Sequence, residues 1–343
     1  MVHKNMYAGF FDKPNTVDVR SVLKPVPKPG EALIKVDYVG ICGSDMLVYK
    51  GEHPRCKPGT IMCHEYIGEV TELSSGTNSA IKIGDKVAVE PIYSCNNCQA
   101  CRSGNQHVCE VLKIDGIDHD GGLAEYKAVS VEKLHVFDQK IDLKQAALIE
   151  PIAVAVHVIR CSKLNIGSRV LVLGGGPIGH LVALVCRAAG AKVVAVSELN
   201  SFRREILQNN GLQTVDPIDN NLGDFIKEKT SGEGVDITFE VSGAEKALEE
   251  ATSLTNICGQ IVIVSLFKKP PAIDLMAVCL KEYEIIGRRT YSADDYRTAI
   301  NLLENNVLPL EGLVTDIVTL EKAEEGFKLI TESSDIMKVL IQT

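Results

Sequence analysis

Four cysteines fall within fifteen residues, Cys95-x2-Cys98-x2-Cys101-x7-Cys109, in the polar stretch "SCNNCQACRSGNQHVCE". Four thiolates complete a tetrahedral zinc shell at ~2.3 Å each and leave no position for a substrate, so the cluster reads as a structural site. An iron–sulfur centre also takes four cysteines, but this spacing does not match the ferredoxin runs. A second constellation is spread out: Cys42 in "VGICGSDMLVY", His64 and Glu65 in "IMCHEYIGEV", and Glu150 in "ALIEPIAVAVH". A single cysteine is usually a small buried hydrophobe. Together these side chains make a mixed sulfur, nitrogen and oxygen set with an exchangeable position, which is the catalytic kind of zinc site. Glu150 stands in an apolar run, and a buried carboxylate needs a partner. A metal, a water on that metal, or backbone N–H groups at a helix start beside Pro151 would each supply one.

A third pattern is "VLVLGGGPIGHLVAL", which holds Gly174-x-Gly176-x-x-Gly179 with Pro177 and Ile178 inside it. It follows a β-prone run and precedes a helical one, the context in which such glycines admit a pyrophosphate at a helix N-terminus. Glu198 ends the next β run, at the spacing of the acid that holds adenosine ribose hydroxyls. A carboxylate there favours NAD and repels the 2′-phosphate of NADP. Arg203 and Arg204 are a counter-signal, since arginines hold that phosphate, and Glu198 is weighted above them.

The elements around these residues divide in two. Up to about residue 150 the chain is rich in Gly and Pro, with short β-prone runs such as "EALIKVDYVG", "EYIGEVTEL" and "GDKVAVEP". "QAALIEPIAVAVHVIRC" reads as one buried helix, apolar nearly all round. From Ser168, "RVLVLG", "KVVAVSE", "GVDITFEVSG", "GQIVIVSL" and "YEIIGRR" alternate with helical runs, which implies right-handed βαβ units and a parallel sheet. "SADDYRTAINLLENN" predicts a helix and "IMKVLIQT" a closing strand. "KALEEATSL" and "KEKTSGEG" read as solvated charged surface.

A chain of 343 residues is long for one simple core, and its 45% apolar and 24% charged content is that of an ordinary globular protein. The net charge of −9 argues against nucleic acid. The longest apolar runs fall short of the ~20 residues of a membrane span. "MVHKNMYAGFFDKPN" lacks a signal-peptide core, so a reducing, cytoplasmic setting is expected, in which the eleven cysteines serve as thiols and metal ligands rather than disulfides.

In order along the chain, "GICGSD", "HEYIGEV", "GDKVAVEP", "CNNCQACRSGNQHVC", "DGGLAEY", "LIEPIAVAVH", "VLGGGPIG" and "KVLIQT" resemble the zinc-containing medium-chain alcohol dehydrogenases, in their polyol and sugar-acid branch. The similarity covers essentially the whole length. It implies an α/β protein with a GroES-like β-rich catalytic domain, residues 1–150 completed by 290–343, and a doubly wound Rossmann domain, 151–289. It implies two zinc ions per chain and NAD. Cys42, His64 and Glu65 would ligate the catalytic zinc, and Glu150 would ligate it or hold its water. Asp45 would orient the His64 imidazole, and Ser44 would receive the substrate proton.

Two places depart from the family pattern. Cys63 stands where "GHE" has its glycine, either as a packed small side chain or as a thiol near the metal. Leu47 stands where many members end the proton relay on a histidine, so the proton needs another exit, such as a ribose hydroxyl.

The expected activity is oxidation of a secondary hydroxyl of a small polyol or diol, with hydride transfer to NAD. A sugar acid is the nearest rival substrate, and a polyol phosphate held by Arg55, Lys57 or Arg288 is another. A nucleotide-binding zinc protein without activity is the alternative from a different class. A homo-oligomer, dimer or tetramer, is expected by analogy. His3, His53, His107, His119, His135, His157 and His180 read as structural or solvated. Cys56, Cys161, Cys186, Cys258 and Cys279 read as buried apolar thiols.

Overall fold

The computed structural model describes residues 4–76 and 80–343; His3 lies outside the described residues. It divides into two compact units: residues 1–150, 292–305 and 314–343, and residues 151–291 with 306–313.

The first unit begins with β1 (Asn5–Phe11), β2 (Asp18–Leu23), β3 (Glu31–Gly40), α1 (Gly43–Tyr49), β4 (Thr60–Ile61) and β5 (Glu65–Leu73). It continues through β6 (Lys86–Val89), β7 (Ile92–Tyr93), α2 (Gln99–Arg102), β8 (Lys113–Ile114), β9 (Tyr126–Ser130), β10 (Leu134–Val136) and α3 (Leu143–Ala146). The strands β2-β1-β4 form one small sheet, and β7-β8 pair as a two-stranded neck from which the four-cysteine segment emerges. The run expected as one helix after Asp142 is two. The Asp142 side chain caps α3 by accepting from the Lys144 and Gln145 N–H groups, and α4 (Ile149–Arg160) starts afresh after Leu148. The fresh start places Glu150 in a first turn, where a carboxylate suits the helix dipole.

The second unit carries β11 (Arg169–Leu173), α5 (Pro177–Ala188), β12 (Val193–Ser197), α6 (Ser201–Asn209), β13 (Gln213–Val215), α7 (Leu222–Lys229) and β14 (Val235–Glu240). It goes on with α8 (Glu245–Leu254), β15 (Thr255–Ile263), α9 (Leu275–Lys281) and β16 (Glu284–Gly287). All six strands pair in parallel in the order β13-β12-β11-β14-β15-β16, the doubly wound arrangement. Strands buried on both faces explain the near-continuous apolar runs "RVLVL" and "VVAVS". The charged stretch at α8 is helical and not merely solvated surface, because Leu248, Ala251 and Thr252 recur at helical spacing and are buried. Of the five cysteines expected to be buried, only Cys186 is; Cys56 and Cys161 are half-buried, and Cys258 and Cys279 are exposed.

The chain then returns to the first unit with α10 (Ala293–Glu304), β17 (Val314–Thr319), α11 (Ala323–Glu332) and β18 (Lys338–Gln342). β18 inserts antiparallel to β3, completing the sheet β10-β6-β5-β3-β18-β17 to which β9 adds through β3. The core beneath includes Met6, Ile34, Val36, Met62, Tyr66 and Leu123 from the first 150 residues and Phe327, Val339 and Ile341 from the last thirty. Among the described residues no helix is long and apolar enough to cross a membrane.

Candidate active site

The end of β3, the start of α1 and the start of β5 bring three donors together. Donor atoms of Cys42, His64 and Glu65 all lie within 4.8 Å of one another, with His64 and Glu65 buried and Cys42 half-buried. Cys42 is the N-cap of α1, and its backbone N–H donates to Asp45 Oδ2 at 2.8 Å. Asp45, fully buried, faces His64 Nδ1 with its other oxygen at 3.1 Å. One carboxylate thus fixes both the helix start that carries the thiol and the ring that carries the imidazole, leaving Nε2 of His64 available as a ligand. Burial pushes the imidazole down, but the Asp45 carboxylate and the Cys42 sulfur push it up further, so it lies well above 6.5.

Glu65 carries a partner that the sequence reading missed. Lys338 of β18, 4% exposed, forms an ion pair with Glu65 Oε2 and donates to the Ile41 carbonyl at 2.9 Å. Gly40 leaves the space for it, since a Cβ there would overlap the Glu65 carboxylate. Burial opposes the Lys338 ammonium, and the Glu65 charge more than offsets this, raising it above 10.5. A carboxylate has two oxygens, so the ion pair leaves one for a metal. The signal was a lysine opening the apolar closing run "KVLI", where an unpaired ammonium is too costly to bury.

Thiolate, imidazole and carboxylate are the donor types of catalytic zinc, and their convergence fits one ion with ~2.0–2.3 Å bonds. Glu150 is buried but lies outside this convergent set. Ser44 is half-buried in the first turn of α1, two residues from Cys42, and Leu47 follows one turn later. Cys63 is fully buried with φ of +66°, the left-handed region that favours glycine, which accounts for a glycine in the family motif. It is not among the convergent donors, and burial pushes its thiol well above 9.

The second set is local. The sulfurs of Cys98 and Cys101 stand 3.4 Å apart, Cys98 and Cys109 3.9 Å, and Cys95 and Cys101 3.9 Å, with no disulfide among them. Four sulfurs tetrahedrally placed ~2.3 Å from one ion stand roughly 3.8 Å apart, so the set fits zinc. The N–H groups of Asn97 and Cys98 point at the Cys95 sulfur at 3.4 and 3.2 Å, and that of Cys95 at the Cys109 sulfur at 3.3 Å. Backbone N–H groups of Glu110 and Cys101 pull the Cys98 thiol down to about 6.

In the second unit the Gly-rich turn lies between β11 and α5. Gly174 has φ of +100°, and a Cβ on Gly179 would overlap the Gly174 carbonyl, so both positions require glycine. Gly176 caps α5 and Pro177 is its first residue, leaving the helix N-terminus open to an anion. A cavity of about 490 Å³ is lined by Gly174, Gly176, Glu198, Arg203, Val241 and Ser242. Glu198 accepts from the N–H groups of Gly175 at 2.7 Å and Asn200 at 2.8 Å. Arg204 is turned to Asp216 at 2.8 Å and to the carbonyls of Glu198 and Leu199, whereas Arg203 lines the cavity. Glu240, fully buried at the end of β14, was also missed. Its Oε1 accepts from Ser242 N at 2.9 Å, Ser242 Oγ at 2.6 Å and Gly243 N at 2.9 Å, and its Oε2 from Ser265 Oγ. It thereby holds the turn whose Ser242 packs against Gly174 at the edge of the cavity.

Residues 28–139 match the family model described as alcohol dehydrogenase GroES-like domain, and residues 177–305 match zinc-binding dehydrogenase. The chain is 37% identical over 318 residues to 2-dehydro-3-deoxy-L-galactonate 5-dehydrogenase of Pseudoalteromonas atlantica, covering 92% of each. It is 33% identical to (R,R)-butanediol dehydrogenase of Bacillus subtilis, covering 98% of this chain and 99% of the relative. Among solved structures, 2R,3R-butanediol dehydrogenase of Bacillus subtilis superposes with a TM-score of 0.92 at 31% identity, covering 98% of this chain and 99% of that one. A zinc-binding dehydrogenase of Sinorhizobium meliloti bound to NADP gives 0.93 at 28%, covering 99% and 100%. The chain therefore belongs to the zinc-binding medium-chain alcohol dehydrogenases, a family of nicotinamide-dependent oxidoreductases.

Proposed function

We propose that this dehydrogenase oxidises a secondary hydroxyl of a small polyol, diol or sugar acid to the ketone, with Cys42, His64 and Glu65 holding its catalytic zinc and the four cysteines a structural one. The observation that carries the reading is the convergence of the three donor atoms within 4.8 Å, behind a carboxylate that fixes the imidazole. When bound, the zinc ion supplies Lewis acidity toward the substrate hydroxyl and the nicotinamide supplies the hydride acceptor. Ser44 would take the hydroxyl proton; Leu47 carries no group that could pass it on, and a bound dinucleotide would supply ribose hydroxyls as an exit. Asp45 keeps the His64 ring in place, and Lys338 holds one oxygen of Glu65. Glu150, buried in the same unit, serves as a further ligand or holds a water. Gly174, Gly176, Pro177, Ile178 and Gly179 seat the pyrophosphate, Arg203 assists, and Glu198 selects NAD over NADP. Residues 1–150 with 292–305 and 314–343 form the catalytic half, and 151–291 with 306–313 the nucleotide half.

The relatives' substrates, a hexonate and a butanediol, support a polyhydroxylated or vicinal-diol substrate. The test is a panel of butanediols, sorbitol, xylitol, hexonates, threonine and a polyol phosphate, each with NAD+ and NADP+, read by absorbance of the reduced nicotinamide. Failure of every secondary alcohol with a protein that binds one zinc favours the non-catalytic reading. A cytoplasmic homo-oligomer is part of the proposal. β16 is an edge strand, and Leu266 after β15 and Leu275, Met276 and Leu280 on α9 are 81%, 72%, 69% and 75% exposed, apolar surface suited to a second copy. Leu275→Glu with Leu280→Glu should reduce the mass measured by light scattering.

A further inference from the structure

Cys63 needs support that its own segment does not give. A non-glycine residue at φ of +66° is strained and persists only where its surroundings over-determine it. The segment 115–123 provides those surroundings. The N–H groups of Gly121, Gly122 and Leu123 donate to the carbonyls of Ile61, Cys63 and Met62 at 2.7, 2.8 and 3.0 Å. A Cβ on Gly116 would come within 2.7 Å of the Cys63 backbone, and one on Gly121 would overlap the Cys63 carbonyl. Gly122 lies flat against the Tyr66 ring.

Asp115 opens that segment. It is 1% exposed, accepts from Tyr66 Oη at 2.7 Å and pairs with Lys127 Nζ at 3.1 Å. Tyr66 directly follows His64 and Glu65 and is itself 1% exposed. Asp115 also directly follows β8, and its N–H donates to the Pro91 carbonyl at 2.9 Å, just before β7. Ile92 pairs with Ile114 and Tyr93 with Lys113 across this neck, and Cys95 and Cys109 leave from its two strands. No mechanistic role described above uses this carboxylate.

We propose that Asp115 is a positioning residue for the Cys42–His64–Glu65 set: through Tyr66 it fixes the segment that carries His64 and Glu65, and through the β7–β8 neck it ties that segment to the four-cysteine lobe. The proposal rests on the reading of that set as a zinc site. It gives the lobe a task beyond its own fold, since a metal-loaded lobe keeps the neck paired and Asp115 in place behind the ligands.

The test is zinc release from the purified holoprotein to a colour-forming chelator, whose two phases are assigned with Cys42→Ala and Cys98→Ser. Tyr66→Phe deletes one oxygen and leaves Asp115 paired with Lys127. It should speed release from the mixed set about tenfold and leave the lobe's phase unchanged. Asp115→Ala should do the same, and the double variant should be no faster than either single one. Cys98→Ser, which empties the lobe, should also speed release from the mixed set, and less so when Tyr66 is already Phe. Unchanged release from the mixed set in Tyr66→Phe, or acceleration of the lobe's phase alone, would overturn the role of Asp115. An unchanged mixed-set phase in Cys98→Ser would overturn the tie to the lobe. Two zinc ions retained by Cys42→Ala would instead overturn the site reading, whatever Asp115 does.

Discussion

Cys95, Cys98, Cys101 and Cys109 come from one loop of fifteen residues, and their sulfurs are arranged by N–H groups of that same loop. Cys42, His64 and Glu65 come from a helix cap, a residue after a left-handed backbone position, and the first residue of a strand, and two of the three are buried. The loop needs only its own spacing and a metal. The mixed set needs Asp45 to bridge Cys42 and His64, Lys338 from the far end of the chain, and a glycine segment packed behind it. On the proposed roles, a set whose only task is to close can be written locally; one that is to react must keep charged groups out of water while leaving one position free, and that takes partners from several elements.

The largest effect that sharpens this contrast is a pair of substitutions. Cys42→Ala should lower turnover by about 10³-fold or more, with the fold and about one zinc retained. Cys98→Ser should act first on thermal stability and zinc content. Near-normal turnover in Cys42→Ala, measured with the best alcohol of the panel, breaks the comparison at its root. Next is Lys338→Met, which leaves the Glu65 carboxylate buried without its ion pair. A loss of about 3–5 kcal/mol in denaturant-measured stability is expected for the metal-free protein. A loss below 1 kcal/mol means that Glu65 does not depend on its distant partner.

Two buried histidines set the third test. His64 has Asp45, whereas neither ring nitrogen of His180 has a hydrogen-bond partner among the described residues, and burial pushes it down from 6.5 to about 4. The unfolded chain takes up this proton near pH 6.5 and the folded chain only near pH 4. The His180 contribution is therefore intact above about pH 6.5 and falls by about 3 kcal/mol as pH drops through that window. His180→Leu should flatten the acid limb of the stability curve by that amount, read by chemical denaturation between pH 4 and 7. An unchanged limb places the acid sensitivity elsewhere. The smallest expected effect is at Glu198: Glu198→Ala should weaken NAD+ binding by about tenfold and narrow the preference over NADP+, since it removes charge-assisted hydrogen bonds from the cradle. Equal use of both dinucleotides by the unaltered protein contradicts the role given to this carboxylate.

The local features were legible in the residues themselves. The cysteine spacing, the glycines between β11 and α5, the alternation of strands and helices after Ser168 and the carboxylate at 198 all act within a few residues or one βαβ unit, where chain geometry ties spacing to position. What the sequence by itself could not decide was whatever depends on register between distant strands. Lys338 reaches Glu65 across 273 positions because β18 pairs beside β3, and nothing near either residue records that pairing. The same holds for Asp115 bonded to Tyr66, for the exposure of Cys258 and Cys279, and for the left-handed backbone at Cys63, against which residues 115–123 pack. Spacing fixes which groups can share an ion; tertiary packing fixes which of them lose their water, and the desolvation of a charge is what makes its partner obligatory.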